Sequence, residues 1–137
     1  YNAAEILQQC LDSIFTIKRK VDNKVIVVDN DSHDDSKKVI NEFVGKFSIV
    51  SILNSDNVGF AKANNQGFNV ASGDFVLILN NDTILTDYCL DVLVDTFDNE
   101  SIGAVGPRLL NQDGTLQLNG SVLSWKAQKQ NSLKKGS

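Results

Sequence analysis

The sequence contains no methionine, one histidine, one tryptophan and two cysteines among its 137 residues. Without an initiator methionine, Tyr1 reads as a cut edge and not as a natural start. Tyr1-Asn2-Ala3-Ala4 lacks the basic region and apolar core of a signal peptide. No apolar run is long enough to span a membrane. There is no basic stripe, and the formal net charge is −4, which argues against nucleic acid as the main partner. A 42% hydrophobic share against 22% charged residues excludes a chain disordered by composition, and the length suits one domain with a core. Repeats and low-complexity linkers are also missing. Cys10 and Cys89 are too far apart for a metal-site spacing. Each sits in an apolar helical pattern and reads as a buried free thiol in a reducing compartment.

What is present alternates. Ile6, Leu7, Cys10, Leu11, Ile14 and Phe15 recur at three- and four-residue steps, the apolar face of a helix over 3–18. Residues 24–28 (K-V-I-V-V) form a short β-branched run ending at Asp29, a strand buried on both faces. Ser32 is positioned as an N-cap, with Asp34 and Asp35 in the first turn. Val39, Ile40, Phe43 and Val44 give that second helix its buried face. A second strand is expected over 47–53, a polar turn over 54–57, and a third helix over 59–72 stopped by Gly73. Residues 75–79 (F-V-L-I-L) read as a third buried strand. Thr86 or Asp87 opens a fourth helix with Leu90, Leu93, Val94 and Phe97 inward. Residues 102–110 are strand-like, 111–114 a turn, and 115–118 a hairpin return. This order predicts an α/β fold with a mainly parallel sheet and helices on both faces. From Lys126 onward, with Lys129, Lys134 and Lys135, the chain reads as a solvated polar end.

Ligands of open parallel sheets bind outside the carboxyl ends of strands. Those ends here are polar: Asp29-Asn30-Asp31-Ser32, Asn54-Ser55-Asp56-Asn57 and Asn80-Asn81-Asp82-Thr83. Turn chemistry accounts for Ser32 and much of Asp56-Asn57. It accounts less well for an Asp directly after one apolar run and close after another. An anion beside several carboxylates is repelled unless a hard divalent cation intervenes. Asp82 is the best candidate ligand for such a cation. Asp29 is better suited to accept hydrogen bonds from a base N–H or a sugar hydroxyl. Asp113, beside Gly114, reads as a turn residue, and His33 as an exposed residue at a helix start. Trp125 reads as a cover for the sheet edge, Glu100 as solvated, and Lys62 as equally a phosphate contact or a solvent-facing charge.

Five segments carry a resemblance: Y-N at 1–2, V-V-D-N-D-S-H-D-D-S at 27–36, N-V-G-F-A-K-A-N-N-Q-G at 57–67, G-D-F-V-L-I-L-N-N-D-T at 73–83 and G-A-V-G-P-R-L-L-N-Q-D-G at 103–114. The chain resembles a family 2 glycosyltransferase of the GT-A fold, in the bacterial rhamnosyltransferase-like branch. The likeness implies that 1–120 form the nucleotide-sugar-binding half and that 121–137 are a tail or the start of an acceptor half. It implies nucleotide contacts at Tyr1, Asp29, Asn57, Gly59, Asn64, Asn81 and Asp82, and a Mn²⁺ or Mg²⁺ ion at Asp82 and Asn80. Asn80 stands where the family's D-x-D motif begins with Asp, and a neutral amide oxygen is the weaker ligand.

The implied partners are a UDP- or dTDP-linked sugar and a glycan acceptor, with no nucleic acid. The implied setting is bacterial cell-surface polysaccharide synthesis in the cytoplasm, or at the inner membrane face for the intact enzyme. In the family a first strand precedes Y-N and the catalytic base follows the equivalent of Gly120, so the fragment is expected to bind donor without catalysing transfer. A strand missing from the sheet would leave ladder groups exposed and favour self-association. Two other classes remain beside this reading. One is a non-catalytic sugar-nucleotide-binding module, which an acidic pair further along the parent gene would argue against. The other is a receiver-like domain, disfavoured because no Lys stands at the required place after Asp82.

Overall fold

The computed structural model describes residues 1–98 and 101–118, in two units, Tyr1–Asp95 and Thr96–Ser137. In the first unit, α1 (Ala4–Thr16) leads to β1 (Val25–Asp29), α2 (Ser36–Val44), β2 (Ile49–Leu53), α3 (Phe60–Val70) and α4 (Cys89–Asp95). β1 and β2 pair in parallel from Val25↔Ile49 to Asp29↔Leu53. Alternation along β1 sends Val25 and Val27 toward a core made by Leu7, Cys10, Leu11 and Ile14 of α1 and Val39, Ile40 and Phe43 of α2. α3 approaches β1 at Gly67, where a Cβ would lie 3.6 Å from Val28 Cγ2 and 3.8 Å from Ile26 Cγ2. Phe15 stacks on Phe47 with ring centroids 3.9 Å apart, closing the far end of the core.

Several sequence expectations are corrected here. In place of the expected mainly parallel sheet, the described residues hold this two-stranded parallel pair and a two-stranded antiparallel sheet within 109–118. Residues 75–79 form no strand, and Phe75, Val76, Leu77 and Ile78 are 44% to 60% exposed. Apolar β-branched composition favours a strand, but a strand exists only when a neighbour supplies the ladder. Leu79 is the anchor of that segment, packed against the core. Ile6 and Val44, expected on buried faces, are 47% and 41% exposed, because each lies at the margin of its helix's contact stripe. Cys89 is only partly buried, whereas Cys10 is buried. No helix among the described residues is long and apolar enough to cross a membrane.

Ser32 does not cap α2, whose helical turns begin at Ser36. Its hydroxyl instead accepts the Asn2 N–H at 3.0 Å, while Asp34 Oδ1 accepts the Ser36 N–H at 3.0 Å. Asp34 Oδ2 also accepts the Ala4 N–H at 2.9 Å, so one carboxylate caps α1 from 30 positions away. Asn2 makes this docking possible by adopting φ 49° and accepting the His33 N–H at its side-chain oxygen. The side-chain hydrogen bond from Ser36 leads the causes that hold the Asp34 carboxyl below the usual carboxylate range. Its stabilising contribution is therefore complete above the ordinary carboxylate pKa and lost as pH falls through the lower, folded value. Asp34→Asn is expected to flatten the acid limb of a stability–pH curve below roughly pH 4. An unchanged acid limb in thermal unfolding of this variant would remove Asp34 from the cap.

The loop between α1 and β1 is held by α4 and by the turn that precedes it. Asp91 Oδ1 accepts the Lys20 and Val21 N–H groups at 2.8 and 3.1 Å, and Asp87 Oδ1 accepts the Lys18 N–H at 2.9 Å. In the second unit, β3 (Leu109–Leu110) and β4 (Leu116–Leu118) pair antiparallel, so the strand expected over 102–110 is confined to its last two residues. Asp113 Oδ1 accepts the Thr115 hydroxyl at 2.6 Å and its N–H at 2.9 Å. The side-chain bond from Thr115 is the leading reason why the Asp113 carboxyl is held low. Gly114 supplies the positive φ of 83° that this turn needs. Glu100, Trp125 and the polar end from Lys126 lie outside the described residues.

Candidate functional site

The carboxyl ends of β1 and β2 lie side by side because the strands are parallel and in register, and the Asn54 N–H closes the pair on the Asp29 carbonyl at 2.9 Å. Asp29 is 4% exposed, and its Oδ2 accepts the Ser32 N–H at 2.9 Å. One of its oxygens is thus committed to folding the loop, a constraint that sequence does not reveal. Tyr1 is 58% exposed and meets His33, in the loop after Asp29, edge-on with centroids 6.2 Å apart. His33 Nε2 lies 3.5 Å from Asp31 Oδ2, and Lys37 Nζ lies 3.2 Å from Asp31 Oδ1. These groups make a polar rim of mixed sign at the start of α2.

The Asn57–Gly59 loop forms the next wall. Asn57 Oδ1 accepts the Gly59 N–H at 3.0 Å, a local turn that occupies the side-chain oxygen. Gly59 has φ 82° and ψ 166° as the N-cap of α3, a region open essentially to glycine alone. A Cβ there would meet nothing within 4 Å, so the cost of a side chain is backbone strain of about 1–3 kcal/mol. Asn64 Nδ2 donates to the Phe60 carbonyl at 3.0 Å, one turn back along α3. Lys62 is exposed.

Asn80 and Asp82 are exposed and Asn81 is half-buried. The segment is tied to α1 by Cys10, whose Sγ lies 3.8 Å from the Asn80 carbonyl oxygen. Burial pushes the Cys10 thiol up, a nearby Thr83 backbone group opposes this, and the Asp82 charge adds to the rise. Among the described residues, no hydrogen bond joins Asn80, Asn81 or Asp82 to the Asp29 or Gly59 groups. The structure therefore brings Tyr1, Asp29 and the Asn57–Gly59 loop to one strand-end edge, while Asn80–Asp82 follows Leu79, which packs on the core, with the Asn80 carbonyl against Cys10 of α1. Asp82 and Asn80 offer one carboxylate and one neutral oxygen, hard donors suited to Mn²⁺ or Mg²⁺ when phosphate oxygens complete the shell. No group of three acidic, His or Cys side chains able to hold a metal alone occurs among the described residues.

A family model described as glycosyl transferase family 2 matches residues 1–136. The chain belongs to this family. Membership implies the GT-A α/β fold, of which the β1–β2 pair and its helices are a small part. The chain is 29% identical over 119 residues to the poly-β-1,6-N-acetyl-D-glucosamine synthase of Staphylococcus epidermidis, covering 85% of this chain and 29% of that protein. It is 28% identical to the glycosyltransferase GlyG of Streptococcus pneumoniae, covering 82% of this chain and 38% of that protein. It is 30% identical over 123 residues to the chondroitin synthase of Pasteurella multocida, covering 88% of this chain and 13% of that protein. The chain thus spans well under half the length of these family 2 relatives.

Sequence reasoning placed Asn30 and Asn54 at the polar strand ends without a role and missed Gln66; Asn54 bonds both of the other amides. Asn30 and Asn54 each directly follow a strand, and that position was the available signal. Gln66 carries no such mark, because its reach back to Asn54 depends on how α3 lies against the sheet.

Proposed function

We propose that this chain is the donor-binding half of an inverting glycosyltransferase that takes a nucleoside-diphosphate sugar for transfer to a glycan hydroxyl. The observation that supports this most is the convergence of Asp29, Tyr1 and the Asn57–Gly59 loop at the strand carboxyl ends of a family 2 chain. In this reading residues 1–120 hold the donor. Asp29 accepts from the base, Tyr1 covers it, and Asn57, Gly59, Asn64 and Asn81 line the nucleotide. Asp82 and Asn80 hold Mn²⁺ or Mg²⁺ against the diphosphate, and the bound ion neutralises charge on the leaving group. The acceptor's base is assigned to none of the described residues, since Asp113 is tied into its own turn. The Asn80-Asn81-Asp82 form of the metal motif supports the rhamnosyltransferase-like branch. Polysaccharide synthesis fits the names of the relatives, and this reading places it in cell-surface polysaccharide assembly from the cytoplasmic side.

Calorimetric titration with uridine and thymidine diphosphates, with and without Mn²⁺, tests the site. Metal-enhanced binding of at least one is expected, together with no sugar transfer by the chain alone. If neither nucleotide binds, the assignment of the site fails, and measurable transfer would overturn the division of labour. The outer apolar residues 75–78 and the short sheet also support self-association, so light scattering is expected to report species larger than a monomer. A sharp monomer would remove that proposal.

A further inference from the structure

Asn54 and Gln66 exchange a reciprocal pair of amide hydrogen bonds, Asn54 Nδ2 to Gln66 Oε1 and Gln66 Nε2 to Asn54 Oδ1, both 2.9 Å. Asn54 Nδ2 gives its second hydrogen to Asn30 Oδ1 at 3.0 Å. Asn30 Nδ2 in turn points to the Gly59 carbonyl at 3.5 Å. The polarity of this chain is not arbitrary. Turning all three amides around would preserve the bonds between them but set Asn30 Oδ1 against the Gly59 carbonyl, acceptor against acceptor. Gly59 thereby selects the orientation of Asn30, and Asn54 and Gln66 hold it. Asn54 has both N–H groups in use, whereas Asn30 keeps one N–H beyond its bond to Gly59.

Resting on the donor-site reading above, we propose that the Asn54–Gln66 amide pair is a positioning device that makes Asn30 a hydrogen-bond donor to a carbonyl on the nucleotide base. Asn30 immediately follows Asp29, the residue assigned to the base, so its amide stands at the same strand end. A fixed N–H favours uracil or thymine, which carry a carbonyl at the 4-position. It disfavours cytosine, which carries an amino donor there. A site built to donate leaves donor facing donor when the wrong base enters, and such mismatches discriminate more strongly than lost contact area.

The test compares uridine diphosphate with cytidine diphosphate in Mn²⁺ by calorimetry, using the whole chain and two variants. Asn54→Asp still accepts from Gln66 but cannot donate to Asn30, which then turns its NH₂ toward the new carboxylate and offers its carbonyl to the ligand. Gln66→Leu removes the brace while keeping the bulk of the side chain. Wild type is expected to prefer uridine diphosphate, and each variant to lower that preference about tenfold, the worth of one ordinary hydrogen bond. A merely structural role would weaken both nucleotides alike and leave the ratio unmoved, and that result overturns the proposal. Thermal unfolding identifies a variant that fails to fold, and the other then carries the test. Binding of neither nucleotide by wild type would instead remove the donor site itself, and this proposal with it.

Discussion

Asp29→Ala is expected to lower both stability and nucleotide affinity, the two through different oxygens. Asp29 is nearly buried, and its Oδ2 accepts the N–H of buried Ser32. Truncation to alanine strands that donor, at a cost of about 1–3 kcal/mol read from urea or thermal unfolding. Asp29→Asn separates the two roles. The asparagine oxygen still accepts from Ser32, so stability should stay close to wild type. The acceptor offered to a base N–H is replaced by an NH₂ donor, so donor faces donor, and uridine diphosphate affinity should fall about tenfold or more. Stable Asp29→Asn protein with wild-type affinity would take Asp29 out of the nucleotide site and leave it a loop-folding residue.

Asp82→Ala is expected to act in the opposite pattern, with a large effect on metal-dependent binding and little on stability. Asp82 is exposed, and substitutions at such positions usually change stability within about ±0.5 kcal/mol. It is also the one carboxylate of Asn80-Asn81-Asp82, and the neutral Asn80 oxygen cannot replace its charge. Nucleoside diphosphate affinity in Mn²⁺ should drop to the value measured without metal, a loss of about tenfold or more if the ion contributes as much as one charge-assisted contact. Asn80→Asp is expected to shift affinity the other way by adding a second carboxylate. Retained metal enhancement in Asp82→Ala would move the ion to other residues.

Local elements were legible because their signals are local. The spacing of Leu7, Cys10, Leu11 and Ile14 marks α1 whatever surrounds it, and these four residues do form its buried stripe. Val25–Asp29 is a strand as its β-branched run suggests, and Gly59 stands at the start of α3. The same logic failed at 75–79, where composition is as strand-like as in β1 but the described residues supply no ladder partner. It failed also at Ser32. A Ser before an acidic pair is a proper N-cap signal, yet Asp29 and Asn2 claim the Ser32 backbone and hydroxyl.

The candidate site divides in the same way. Asp29, Gly59 and Asp82 could be singled out because each falls at a strand end or a turn, and the five motif segments identify the family through residues that stand in order along the chain. Chain order alone determined the helix faces, the strand-end carboxylates and the family. Tertiary structure decided which hydrogen-bonding groups are already spent. It sets the Asp34 carboxylate on the first turn of α1, commits half of Asp29 to Ser32, and orients Asn30 through Asn54 and Gln66. Each of those bonds joins groups brought together by the packing of helices on the β1–β2 pair, and the occupancy of a lone pair or an N–H is settled only when its partner arrives.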